Sequence, residues 1–308
     1  MKLRWLCILA AGVLLCTVSC TRETGSSRTP NSSSATSATS TQMFQVKGVV
    51  VELDPDGRTV KIKHEEIPGY MGAMTMPFEA RPTNELSGLS PGDTISFRMS
   101  VTEADGWIDQ IKMLSAAPGT NTLPTTGPFR AVREVEPLNV GDMLPEYHFT
   151  NQLGEAVSLS QFRGKALAMT FIFTRCPFPT FCPLVSRNFE EVQKKLLSQP
   201  DALTNWHLLT ITFDPEYDTP PRLKDYARQY NADPAHWSFL TGTLIDITAI
   251  AEQCGLLFWR EGEGVNISHN LRTAVVDARG RVQKILPENK WTSEELAGEI
   301  VKAAQVKP

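Results

Sequence analysis

The stretch TRCPFPTFCPLVS (174–186) holds Cys176 and Cys182 with five residues between them, each followed by proline, in a chain otherwise poor in cysteine. Such a pair serves as a structural disulfide, a redox couple or part of a metal site. Pro183 suits the first position of a helix. That places Cys182 at or beside the N-cap, where the helix dipole favours a thiolate. Cys176 follows KALAMTFIFT (165–174), a buried-type strand. Pro177 and Pro179 stiffen a loop short enough to return the two sulfurs to bonding or co-ligating distance. A strand-to-helix turn is where an α/β architecture places reactive groups.

A second cluster lies in HEEIPGYMGAMTMPF (64–78), where Met71, Met74 and Met76 follow His64. Thioethers fill irregular cores well. Met74 and Met76 nevertheless share one strand face, and Pro68, Gly69 and Gly72 shape a loop before them. Thioethers with an imidazole suit Cu(I) or Ag(I) far better than zinc or magnesium. Three further histidines lie beyond the cysteines. His207 is inside a strand and His236 in a loop before one, both consistent with structural roles. His269 opens a hairpin strand after a Gly-rich loop and is a candidate third ligand. Asp214 and Asp218 accept hydrogen bonds and read as groups that orient ligands or dock partners; alternatively Asp218 or Thr219, ahead of Pro220 and Pro221, caps a helix. Cys254, in AEQCGLLFW, reads as a buried thiol.

The elements that must position these residues fall into two regions behind an exported leader. Residues 1–20 carry a basic n-region (Lys2, Arg4), an apolar core and a small residue before Cys20, the anatomy of a secretory signal too short for an ordinary membrane span. TVSC resembles a bacterial lipobox with Thr17 where leucine is usual. Cys20 is therefore expected to carry lipid and to anchor the exported chain to a membrane, facing the periplasm or the cell exterior. Cys7 and Cys16 leave with the leader, so the folded part keeps too few cysteines for a disulfide scaffold. A net charge of −4 over 308 residues offers no basic face for nucleic acid. Residues 21–42 and 115–136 read as flexible linkers. Between them, 43–114 is an all-β region of about five short strands, with DPDG (54–57) as a turn, a size suited to a small OB-like barrel. Residues 137–308 alternate strands and helices, closing on a hairpin in LRTAVVDARGRVQKIL (271–286). In PLVSRNFEEVQKKLL, residues Val185, Phe189, Val192 and Leu196 share one helix face. The order is thioredoxin-like.

Two resemblances sharpen this reading. Residues 43–114 resemble the CusF-type periplasmic copper-binding family, a five-stranded barrel, through His64 and the Met-Thr-Met of 74–76. That family places a tryptophan three residues before this motif. Met71 stands there instead and offers a sulfur ligand, with Tyr70 beside it as an alternative cover. Residues 137–308 resemble the SCO (SenC) family of thioredoxin-like copper chaperones. The resemblance rests on VGDMLPEYHFTNQLGEAVSLSQFRGK, FIFTRCPFPTFCP, ITFDPEYDTPPRLKDYA and SHNLRTAVVDARGRV. It implies Cys176, Cys182 and His269 as ligands for Cu(I) and, with a further oxygen, Cu(II). Together the resemblances imply a metallochaperone delivering copper to the copper A centre of cytochrome c oxidase or to another periplasmic acceptor. One departure stands out: the family usually places three residues between its cysteines, and this chain has five. A longer loop favours a Cys176–Cys182 disulfide, which keeps open a thiol–disulfide oxidoreductase with these cysteines as its catalytic pair.

Overall fold

Strand β1 (Gln42–Leu53) buries Val46, Gly48 and Val50 and exposes the residues between them, the period of a strand with one face on a core. The same alternation runs through β2 (Thr59–His64), which buries Val60, Ile62 and His64. It continues in β3 (Met74–Glu79), which buries Met74, Met76 and Phe78. With β4 (Thr94–Val101) and β5 (Gly106–Ser115) these form an antiparallel sheet in the order β3-β2-β1-β4-β5. His64 lies directly opposite Met74 in the β2–β3 register. A single parallel bridge, Ala80 to Ile108, draws the two edges together, and among the described residues no ladder closes the sheet. The region is thus all-β with five strands.

The structure is a computed structural model that describes residues 41–116, 135–198, 203–260 and 267–307. The expected leader, Cys20 and its lipid, the first linker up to residue 40, most of the second linker and the Gly-rich loop at 261–266 lie outside the described residues.

In the larger part, β6 (His148–Asn151) and β7 (Ala156–Ser158) form an edge hairpin. Then follow β8 (Ala166–Ile172), α1 (Cys182–Leu197), β9 (Trp206–Thr212), α2 (Pro220–Gln229), β10 (Trp237–Thr241) and α3 (Leu244–Gln253). A two-stranded ribbon, β11 (Phe258–Arg260) with β12 (Ile267–His269), precedes β13 (Arg272–Val276), β14 (Val282–Pro287) and α4 (Ser293–Gln305). The seven-stranded sheet runs β14-β13-β8-β9-β10-β6-β7, with β8, β9 and β10 parallel. Every residue of those three strands is buried, as expected for a sheet covered on both faces. The four apolar residues Val185, Phe189, Val192 and Leu196 of α1 are all in the core.

Two expectations change. His269 does not open the closing hairpin; it ends β12, and the hairpin begins at Arg272. Asn270 breaks the run by taking the Leu257 N–H on its side-chain oxygen (2.8 Å) and donating to the Gly255 carbonyl (3.1 Å). Asp218 does not cap α2 either: Thr219 is the N-cap, without a side-chain bond, while the Asp218 carboxylate turns inward.

Gly48 marks where β1 crosses tightly over β2 beside His64. A Cβ there would lie 2.5 Å from Ile62 Cγ2 and 2.8 Å from the Lys63 carbonyl oxygen. Because a main-chain atom cannot swing aside, Gly48→Ala is expected to destabilise the N-terminal sheet by about 1–3 kcal/mol, read from denaturant unfolding. Unfolding midpoints equal to those of the parent would contradict this account.

Candidate metal centre

The cysteine loop begins where β8 ends. The Cys176 N–H donates to the Phe173 carbonyl (3.2 Å), and the Phe181 N–H donates to that of Phe178 (3.1 Å), so the chain folds back within the loop. Cys182 becomes the first residue of α1 with Pro183 in its first turn, within one residue of the start that the proline predicts. Strand β12 brings His269 to the same point. One ligand atom each from Cys176, Cys182 and His269 lie within 4.8 Å of one another, and Cys182 Sγ stands 4.0 Å from His269 Nε2. His269 Nδ1 donates to the Asn270 carbonyl (2.8 Å), which orients the ring so that Nε2 faces the sulfurs. Phe173, Phe181 and Phe213 surround the imidazole with ring centroids 4.9 to 6.0 Å away. Two sulfurs and an imidazole in this arrangement fit a soft metal ion.

Both cysteines are free thiols in the structure. Their acidities are opposite to the expectation from helix position. Burial disfavours ionisation of Cys176, but hydrogen bonds from Cys182 and His269 outweigh it and bring its pKa down to about 5. Burial pushes Cys182 well up, and its hydrogen bond to Cys176 and the charge there push it further. A dry pair carries one negative charge more easily than two. The half-buried Cys176 takes it, and the dipole of α1 does not reverse that order for the fully buried Cys182.

Below the loop, Asp214 and Asp218 are both completely buried, which removes them from any docking surface. Asp214 pairs with Arg175 (2.5 Å) and Arg260 (2.8 Å). Asp218 accepts from the Thr174 N–H (3.0 Å), the Thr174 hydroxyl and the Thr212 hydroxyl (2.5 Å). They brace the strand end that carries Cys176.

The methionine cluster comes to the same place. Met71, Met74 and Met76 are each 6% exposed or less. They line a cavity of about 20 Å³ together with Cys176, His269 and three phenylalanines. His64 Nδ1 donates to the Glu65 carbonyl (2.7 Å), which orients its ring as the Asn270 carbonyl orients that of His269. His64 lies behind Met74 and does not border the cavity. Tyr70 does not cover the methionines: its ring stacks on Phe44 (4.8 Å) and its hydroxyl donates to the Pro177 carbonyl (3.1 Å). A wider cleft of about 640 Å³ reaches His269 from outside, between the two sheets. The remaining candidates lie elsewhere. His207 bonds Ser238 (2.8 Å) with its pKa lowered by burial to about 3, and His236 stacks on Trp206. Cys254 ends α3 as a buried thiol pushed up to about 12. Sequence reading missed Phe178 and Ser268, which join the two regions; the two surplus residues of the cysteine loop were the available signal.

Residues 136–305 match the family model described as SCO1/SenC, and residues 43–113 match that of "Copper binding periplasmic protein CusF". The chain is 35% identical over 107 residues to an SCO1 protein homolog of Bacillus subtilis, covering 35% of this chain and 52% of that protein. It is 26% identical over 145 residues to an SCO2-like protein of Rickettsia typhi, covering 45% and 66%. The chain thus spans about half the length of the first and two thirds of the second. A solved SCO1/SenC family lipoprotein from Bacillus anthracis is similar at 26% identity with a TM-score of 0.47, over 55% of this chain and 98% of that one.

Alkylating the reduced, metal-free protein with iodoacetamide across a pH series is expected to modify Cys176 first. Because its pKa is lowered, the reaction should switch on as pH rises through about 5. In His269→Ala the rise should move to higher pH, since a hydrogen bond favouring the thiolate is gone. Mass mapping that finds Cys182 modified first would reverse the assignment.

Proposed function

Because the chain belongs to the SCO1/SenC family, we propose that it is an exported copper chaperone delivering copper to a respiratory oxidase, at the copper A centre of cytochrome c oxidase. The single observation behind this reading is the convergence of Cys176, Cys182 and His269 within 4.8 Å. The metal is copper, in keeping with the soft donors and the two matched families. Two thiols and an imidazole hold Cu(I), and a further oxygen completes the coordination of Cu(II). A second store of Cu(I) uses His64, Met74 and Met76, with Met71 in the place of the usual aromatic cap. The periplasmic character of the N-terminal match supports export, as does TVSC at Cys20, which would hold the chain on a membrane beside its acceptor.

In this mechanism the chain's own groups perform four tasks. Asn270 holds the imidazole so that Nε2 faces the sulfurs. Cys176 supplies the negative charge, and Cys182 loses its proton when the ion arrives, so uptake strengthens with pH. The phenylalanine rings exclude water from the ligands. The cleft beside His269 gives an acceptor protein its approach.

A second reading, a thiol–disulfide oxidoreductase, draws on the unequal acidities of two adjacent thiols. Copper titration separates the two. The reduced full-length chain is expected to give a strong sulfur-to-Cu(II) charge-transfer band that is lost in Cys176→Ser, Cys182→Ser and His269→Ala. Copper should then pass to a soluble oxidase domain carrying an empty copper A site. Rapid disulfide exchange with that domain, indifferent to His269→Ala and without metal transfer, would favour the reductase.

A further inference from the structure

The methionine cluster and the cysteine–histidine cluster border one cavity, and the contacts that close it join the neighbours of the ligands themselves. Thr75, between Met74 and Met76, donates its N–H to the hydroxyl of Ser268, the residue before His269 (3.0 Å). Tyr70, the residue before Met71, donates its hydroxyl to the carbonyl of Pro177, the residue after Cys176 (3.1 Å). Phe178, inside the lengthened cysteine loop, is 3% exposed and sets its ring edge-on against Phe78 of β3 at 5.9 Å. It also lies over Gly106 so closely that a Cβ there would come 2.6 Å from its Cζ. Arg187 clasps the loop from behind, donating to the carbonyls of Pro179 (2.9 Å) and of Ala104 in the N-terminal region (3.4 Å). The surplus loop residues therefore form the joint between the two regions.

We propose that Met74 and Met76, with Met71, act together with Cys176 and His269 as one composite Cu(I) site, held shut by the lengthened cysteine loop. The proposal rests on the copper reading above and says how the ion crosses between the two ligand sets. The cavity has room for about one water-sized occupant. Its other walls are proline and phenylalanine, and no carboxylate borders it. Three thioethers, one cysteine sulfur and one imidazole, with no carboxylate among them, are a soft donor set. That donor set selects Cu(I). Met74 and Met76 belong to both arrangements. When the ion leaves the N-terminal set, its bond to His64 breaks as a bond to Cys176 sulfur forms. Copper stays Cu(I), no electron moves, and the thiol proton passes to water if Cys176 enters protonated.

The test uses full-length protein in which every methionine is selenomethionine, so sulfur around copper can come only from cysteine. With one equivalent of Cu(I) under reducing conditions, copper-edge X-ray absorption should show selenium and sulfur neighbours together. Gly106→Val, which touches no ligand but displaces Phe178, should still bind one equivalent while its selenium contribution falls at least twofold. Phe178→Ala should do the same by a route that leaves β5 unaltered. Spectra identical in the parent and both variants would mean two independent sites sharing the ion, and the composite site would be wrong. Failure of the parent to retain Cu(I), or retention with neither selenium nor sulfur neighbours, would instead overturn the copper reading and the composite site with it.

Discussion

A buried cluster of two thiols and an imidazole can hold one negative charge cheaply, and the surroundings of Cys176 are arranged around that constraint. Desolvation opposes every ionised form, so charge settles on the sulfur with two hydrogen bonds, Cys176, and is refused by the fully buried Cys182. The nearest carboxylates are held by their own partners, and the Asp218 charge adds to the upward push on Cys182. Asp214 is neutralised between Arg175 and Arg260, and Asp218 spends its oxygens on Thr174 and Thr212. Arg175 itself, paired with Asp214, also lies over the Tyr217 ring at 3.8 Å. What remains facing the cavity is one thiolate-forming cysteine, a histidine in a fixed orientation, thioethers and aromatic rings.

The lengthened cysteine loop follows from the same arrangement. A spacing of three would carry the chain from one cysteine to the next within about one helical turn and leave no residue to reach outward. With five, Pro177 offers its carbonyl to Tyr70, and Phe178 enters the crease between Phe78 and Gly106. Cys182 still begins the helix, and its sulfur still lies beside His269. The added length is absorbed by the contact with the N-terminal sheet, so the altered spacing and the presence of that sheet are one feature.

Much of this was legible in the residues. The α/β order, the four-residue apolar face of α1 and, to within one residue, the start of that helix came from periodicity and proline chemistry, which are local. The ligand candidates were legible as residue types with several possible uses, and only the two family resemblances joined them into copper sites. Three things were not. The site of the thiolate depends on which sulfur is drier and which receives hydrogen bonds, and neither is encoded near Cys182. The break at Asn270 depends on a side chain reaching across to Leu257 and Gly255. The meeting of the two clusters depends on contacts such as Thr75 to Ser268, nearly two hundred residues apart in sequence, which no local pattern records.

His269 gives the site a direction. Of the candidate ligands it alone borders both the small cavity shared with the methionines and the wide cleft open to a partner. Cys176 faces the methionine side, and Cys182 is sealed beneath. In the relay proposed above, an ion crossing from Met74 and Met76 would therefore meet Cys176 first, and an acceptor approaching through the cleft would meet His269 first. On that proposed route the imidazole stands on the cleft side and the Cys176 sulfur on the methionine side. Soft uncharged donors would pass such an ion inward by forming each new bond as an old one breaks, so that it need not be hydrated between the two sets. The imidazole would then be the first ligand that an acceptor in the cleft displaces.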